Sequence, residues 1–387
     1  MNAEQIVRRA QDMIPSFRKH VDEVNAKRSL TEDVRTQLRS SGLTRLLQPA
    51  YFGGAEAGIG TMIDVLIPTA SGCPSTAWCL AQYILHNYMA ARWSPEAQAE
   101  IWRKPDVLIS GTIIPKLGRA VAVDGGYRLS GKWPFVSGVQ GSDWCLIAAM
   151  LEKENSPGEE YYFLVRTDDV SILDTWFSIG LKGSGSQDIE LDDLFVPDMM
   201  GVPGSVFKGG PSPGSDVNAA PIFRIPMHMT LGLPHASCLI GIAESMFELF
   251  LSQSRKRRSL MTGEDTASYA THQMAVGEIS ASLQAAQALL RADAEEIMLF
   301  ANSDKIPSPL ERSNYRCNGA YAGELARRAA HSIWDLVGAR GAFENNPIAR
   351  IYQDMQVASR HITMNLQVNS IEHGRARLRL PLTNPGL

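Results

Sequence analysis

Between residues 107 and 205 the hydrophobic pattern of this chain changes period, and it changes back afterwards. Within that span short stretches alternate apolar and polar side chains (RAVAV, YRLSGKW, DWCLIAAML, YYFLVRT, VSILDTW, QDIELDDLFV), separated by Gly, Asp, Asn and Pro clusters, as strands of an antiparallel β module do. On both sides the period is helical. Residues 3–43 carry apolar side chains at helical spacing and stop at Ser41-Gly42. QPAYFGGAEAG at 48–58 is a turn-rich break, and 59–104 returns to helix, with Ser94-Pro95-Glu96 placed as an N-cap followed by Pro at the first helical position. SVFKGGPSPGSDVNAAP at 205–221 is a Gly/Pro/Ser loop of the length used for lids or subunit contacts. Residues 228–302 and 310–375 are long amphipathic helix, and ISASLQAAQALLRADAEEIMLFA and NGAYAGELARRAAHSIWDLVG have the small-residue composition of bundle helices. The pattern divides the chain into helices over 1–106, a β domain over 107–205 and a helical bundle over 206–387, an α+β protein that is mostly α.

A chain of 387 residues, 44% of them hydrophobic, can bury a sizeable core in two or three modules. Its formal charge of −4 argues against nucleic acid, which needs a basic excess, and leaves a small molecule as the expected partner. Cys73, Cys79, Cys145, Cys238 and Cys317 are scattered without CxxC or Cys/His spacing, so no metal is expected and the thiols read as small buried hydrophobes in a reducing compartment. The first residues, MNAEQIVRRAQDMIPSFRKH, lack a signal-peptide core, and no run approaches the roughly 20 apolar residues of a membrane span, which makes the cytoplasm the expected location. No GxGxxG or GxxxxGK[ST] string follows a strand.

VDGGYRLS at 123–130 runs straight into GKWPFVSG at 131–138. The Gly125-Gly126 pair between alternating apolar residues predicts a hairpin whose second strand carries Trp133 and ends at an exposed Ser137. Taken alone, Trp133 is a core aromatic and Ser137 a turn cap. The helix–β–helix order, the GTIIPKLGRAVAVDGGYRLSGKWPFVSG block (111–138), GLKGSGSQDIELDDLFVP (180–197) and NPIARIYQDMQVASRH (346–361) together resemble the acyl-CoA dehydrogenase superfamily along nearly the whole chain. That resemblance implies the superfamily's fold: an N-terminal helical domain, a middle antiparallel β-barrel or sandwich and a C-terminal four-helix bundle.

The dehydrogenases resembled here abstract a substrate proton with a Glu eight residues beyond the Asp of an Arg-Asp pair. Here that Asp is Asp354, preceded by Gln353, and the eighth residue on is Ile362, beside His361. An aliphatic side chain is no base. GGYRLSGKWPFVSG, the Trp-bearing helix STAWCLAQYILHNYMAARW and the late His instead resemble the two-component (group D) flavin-dependent monooxygenases. The resemblance implies an oxygenase subunit that takes reduced flavin (FADH2 or FMNH2) from a separate NAD(P)H-dependent reductase. It uses O2 through a C4a-hydroperoxyflavin to hydroxylate a small aromatic or heteroaromatic, phenol- or indole-like, in a homotetramer.

On this reading Ser137 and His361 are the catalytic candidates, Ser137 at the flavin N5 and His361 at its reactive edge. Trp133 packs on the flavin ring. Ser184 and Ser186, in KGSGSQD, flank its pyrimidine side or the pocket mouth, with Gly183 and Gly185 admitting close backbone approach, or belong to a surface hairpin. One residue of the basic run Arg255-Lys256-Arg257-Arg258, with Arg258 the candidate, reaches the flavin phosphate portion, although the Phe-Gly that usually follows is absent. Trp78, Tyr83 and His86 on one helix line the substrate pocket or pack as core, and Trp144 is core. The alternative is an acyl-CoA dehydrogenase or oxidase with a relocated base, for which Glu244, Glu248 and Glu278 are the candidates.

Overall fold

A computed structural model describes residues 2–383 except 154, 155, 210, 260, 304 and 306. Six helices come first: α1 (Ala3–Asp12), α2 (Ile14–Lys27), α3 (Glu32–Ser41), α4 (Ile59–Gly72), α5 (Pro74–Ala90) and α6 (Pro95–Ile101). Their ends follow the local chemistry. Thr31 caps α3 by accepting from the Val34 N–H, and Gly42 closes it in the left-handed conformation at φ 79°. Ser94 caps α6 ahead of Pro95.

Strands β1 (Ile109–Thr112), β2 (Gly118–Val123), β3 (Gly126–Val136), β4 (Trp144–Lys153), β5 (Ser156–Arg166), β6 (Ser171–Leu173), β7 (Gln187–Pro197) and β8 (Gly201–Pro203) form one sheet in the order β6-β7-β3-β2-β4-β5-β8, with β1 added alongside β4. The ladders are antiparallel except that β4 pairs in parallel with both β1 and β2, so the sheet is mixed where alternation alone predicts antiparallel pairing. The β2–β3 hairpin is present, but its two turn residues are Asp124-Gly125: Val123 pairs with Gly126, and Gly125 takes φ +73°. The partner of β3 on its other side is β7, with one extra β3 residue between the Trp133/Ile189 and Val136/Gln187 pairs. This bulge holds Phe135 at φ +65° and turns the strand end, re-aiming Ser137 and Gly138 beyond it.

The remaining helices are α7 (Met227–Thr230), α8 (Gly232–Ser254), α9 (Ala270–Ala301), α10 (Pro309–Val337), α11 (Pro347–Ala358) and α12 (Leu366–Arg377). Helix α8 lies between α4 and α10 and meets both backbones closely. A Cβ on Gly241 would fall 2.1 Å from the Ile67 carbonyl of α4, and one on Gly319 would fall 3.3 Å from Gly232. The 205–221 segment folds into short 3-10 turns pinned to the α5–α6 corner. Asn218 donates to the Ala91 carbonyl at 2.7 Å and to Gln98 Oε1 at 2.9 Å, and the Gly214 N–H reaches the Arg92 carbonyl. Four of the five thiols are buried and free, while Cys317 is partly exposed and contacts Ser370.

Asp293 of α9 is buried with one oxygen held by Asn318 and the other unpartnered, and burial raises its carboxyl to about 7 from the ordinary 3.8. The native state therefore favours the protonated form. Stability from this group is full below pH 3.8 and is lost as pH rises through 7. Asp293→Asn, always neutral, should match the wild type in thermal unfolding near pH 3.5 and exceed it at pH 8.5 by roughly 4 kcal/mol.

Candidate functional site

Helix α5 is buried along its length except at half-buried Gln82, so its side chains pack in every direction. Trp78 faces the β domain and the bundle at once. Its Nε1–H donates to Ser137 Oγ at 3.2 Å, and its ring lies 4.9 Å from that of His235 on α8 and 5.6 Å, edge-on, from that of His361 after α11. Ser137 Oγ is 2.7 Å from Ser186 Oγ, which is 2.7 Å from Ser184 Oγ, a ladder of three hydroxyls. Ser137, Ser184, Ser186, Trp78 and His361, which lie far apart in the chain, thus meet in one cluster. Ser137 is 5% exposed, buried where the strand-end pattern predicts exposure, because the bulge in β3 tucks it beneath α5.

Trp133 stands elsewhere. It is fully buried inside the β domain, Nε1 donating to the Ala148 carbonyl at 2.9 Å and its ring against Gly118, so it presents no face to a ligand. The aromatic side chain that the strand turns outward is Phe135, 66% exposed with Trp176 edge-on to it. Tyr83 and His86 are not pocket walls beside Trp78 but supports. Tyr83 OH donates to the Gly138 carbonyl at 2.8 Å, and a Cβ on Gly138 (φ +72°) would meet that hydroxyl at 2.4 Å, which is why Gly follows Ser137. His86 Nδ1 bonds the Ile109 carbonyl at 3.0 Å, and burial pushes its imidazole down to about 4. Gly183 admits Val24 of α2 and Gly185 the Arg28 carbonyl, so the close approach there is to protein. Trp144 is buried, with the Arg166 guanidinium 4.1 Å over its ring.

Arg258 lies outside the cluster, exposed and paired with Asp265 at 3.0 Å. The candidate bases of the alternative also lie outside it. Glu248 is exposed and pairs with Arg18, Glu244 accepts from Gln287, and Glu278 is exposed on α9. No three His, Cys, Asp or Glu side chains gather as a metal site among the described residues.

The structure ties two further residues to the cluster: Asp354, named from the sequence only as a positional marker, and His235, which pattern reading missed. Asp354 Oδ1 accepts the Leu181 N–H at 2.6 Å from full burial, which raises its carboxyl to about 6; it ties α11 to the loop carrying Ser184 and Ser186. His235 stacks on His361 with centroids 3.9 Å apart and planes 18° apart. Its position in LPHASCL, within an apolar helix, carried no signal of its own.

Residues 233–366 match the family described as acyl-CoA dehydrogenase, C-terminal domain. The chain is 29% identical over 382 residues to a pigment production hydroxylase of a Rhodococcus species, covering 98% of both chains. It is also 29% identical over 398 residues to the oxygenase component of an FADH2-dependent resorcinol hydroxylase of a Rhizobium species, covering 97% of this chain and 94% of the other. The fold superposes on the crystal structure of 3-HSA hydroxylase from Rhodococcus sp. RHA1 with a TM-score of 0.93 at 25% identity over 99% of each chain. The chain is thus similar over nearly its whole length to hydroxylases, one of them an FADH2-dependent oxygenase component, and over 233–366 to the acyl-CoA dehydrogenase C-terminal domain family. The superfamily's helix–sheet–helix order explains why one site draws on all three parts of the chain. Asp354, at the superfamily's Arg-Asp position, is here the anchor of the Ser184–Ser186 loop. Asp354→Ala should leave the Leu181 N–H buried without an acceptor and cost about 2 kcal/mol, read as a lower denaturation midpoint with an unchanged far-UV spectrum.

Proposed function

We propose that this chain is the oxygenase component of a two-component flavin-dependent monooxygenase acting on a small aromatic or heteroaromatic substrate, phenol- or indole-like. The observation that carries this is the pairing of Ser137 and His361 across Trp78, with an imidazole next to Ile362, which stands where the dehydrogenases place a carboxylate. The residues fit a flavin: a flat heterocycle with polar edges suits a hydroxyl ladder, an imidazole nitrogen and the outward aromatic side chain of Phe135. When bound, reduced flavin (FADH2 or FMNH2) supplies the electron pair that lets O2 deliver one oxygen atom to the substrate and the other to water.

The side chains then have separate tasks. Ser137 Oγ accepts from the Trp78 indole and can accept from Ser186, which leaves its own proton free to donate to a bound heteroatom. Trp78 fixes where that hydroxyl sits. His361 is half-buried, and its burial and the stacked His235 hold its imidazole well below the ordinary 6.5, so it stays neutral at physiological pH. A neutral imidazole in a water-poor site donates a hydrogen bond without releasing a proton to solvent.

The absence of a dinucleotide string after a strand supports a separate NAD(P)H-dependent reductase as the flavin source. The exposed apolar side chains of Met274, Leu299 and Ile371 on the C-terminal helices suit burial between copies in a homotetramer. In that assembly Arg258 is available to meet the flavin phosphate portion. No helix among the described residues is long and apolar enough to cross a membrane, consistent with work in the cytoplasm.

Anaerobic mixing with reduced flavin, then with oxygenated buffer, tests the proposal. Reoxidation should pass through a transient absorbance distinct from oxidised flavin, with about a tenfold shorter lifetime in Ser137→Ala, the loss of roughly 1.4 kcal/mol of hydrogen bonding. Reoxidation at the free-solution rate in the wild type would overturn it.

A further inference from the structure

His361 is joined to three residues whose hydrogen bonds all run one way. It caps the 3-10 turn Ile362–Met364, and the Thr363 backbone N–H points at its Nδ1 at 3.3 Å. An amide N–H only donates, so that nitrogen carries a lone pair and the ring proton sits on Nε2. The Thr363 hydroxyl, 2.8 Å from the same Nδ1, must then donate to it as well. Having given up its proton, Thr363 Oγ1 can only accept from its other neighbour, His235 Nδ1, at 3.3 Å. His235 Nδ1 also lies 2.8 Å from the Leu231 carbonyl, which likewise only accepts, so both contacts require a proton on that nitrogen. The remaining lone pair of His235, on Nε2, faces the Gln82 amide nitrogen at 3.0 Å. Donation therefore runs from Gln82 to His235, to Thr363, to His361. A second proton on His361 would set an N–H against the Thr363 N–H.

The geometry points to His235, Thr363 and Gln82 as positioning residues that lock His361 in the Nε2–H tautomer, so that it serves bound flavin as a hydrogen-bond donor and not as a general base. This rests on the oxygenase reading for its purpose but not for its test. Both hydrogen bonds of the His361 ring among the described residues fall on Nδ1, which leaves Nε2 for a ligand. His235 also fixes the ring plane by stacking, so the donor has both a direction and a proton. A base would need the lone pair on the outward nitrogen, where the relay puts the proton.

The test reads the tautomer in flavin-free full-length protein labelled with 15N-histidine at pH 7.5, with His361 assigned by its loss in His361→Asn. The wild type should show a pyridine-type Nδ1 and a pyrrole-type Nε2. His235→Leu frees the Thr363 hydroxyl to turn its proton away from Nδ1, leaving only the longer backbone N–H there, and should admit the second tautomer as a minor population. In His235→Asn the amide Nδ2 takes the place of Nδ1 and should restore the wild-type pattern. Hydroxylated product per flavin oxidised should fall about tenfold in the Leu variant and stay within about twofold in the Asn variant. A His361 protonated on Nδ1 or on both nitrogens in the wild type overturns the proposal, as does an unchanged tautomer in His235→Leu. If His235→Leu does not fold, Thr363→Ala against Thr363→Ser decides in the same way. Because the tautomer is read without flavin, a failed relay leaves the oxygenase proposal standing, and the reverse holds too.

Discussion

Burial of helix α5 on all sides is the constraint on which the site depends. Sixteen of its seventeen residues are buried, from Pro74 to Ala90. A helix in that setting has no solvent face on which to place a polar group, so each polar atom must find a protein partner or cost about 1–3 kcal/mol. Trp78 finds Ser137, Tyr83 the Gly138 carbonyl, His86 the Ile109 carbonyl, and Asn87 the Tyr83 carbonyl and the Trp102 indole. Three of these bonds reach into the β domain. The helix thus fixes the strand ends with its polar atoms while its apolar atoms hold α8 and α11, which places a serine of the sheet beside histidines of the bundle.

The bulge near Phe135 is the second device. A regular β3 would alternate Trp133, Phe135 and Ser137 on one face of the sheet. One extra residue against β7 breaks that alternation, sending Trp133 into the domain, Phe135 outward and Ser137 under Trp78. Strand periodicity cannot show this, because the inserted residue looks like any other member of the run. That is why Trp133 lies inside the domain and not on a ligand face, while Phe135 turns outward and Ser137 sits under Trp78.

The order of helix and strand, the stop at Ser41-Gly42, the cap at Ser94 and the loop at 205–221 were legible in the chain because each depends on neighbours within a few residues. The parallel pairing of β4 with β1 and β2 was not, since it joins segments about 35 residues apart and alternation is the same in either direction. The site divides in the same way. Ser137, Ser184, Ser186 and His361 stood out through the strings around them. His235 and Asp354 act through contacts formed only on folding: a histidine in an apolar helix and an aspartate after Gln353 look like packing until the stack on His361 and the bond to the Leu181 N–H are seen.

Losing a carboxylate at the Ile362 position and gaining an imidazole beside it does not by itself make an oxygenase site. A lone histidine in this place could take either tautomer and either charge, and as a base or a cation it would move protons toward or away from bound flavin. What distinguishes this site is that charge has been removed from around it. His235 and His361 are both held neutral by burial, the polar side chains of the cluster are three serine hydroxyls, an indole, a threonine and the Gln82 amide, and Asp354 spends its hydrogen bond on the Leu181 backbone. Neutral donors of fixed direction can hold an electron-rich heterocycle without offering it a base or a mobile proton. The same buried α5 that orders these donors also keeps water from their inner side, so exclusion of solvent and orientation of the hydrogen bonds have one structural cause.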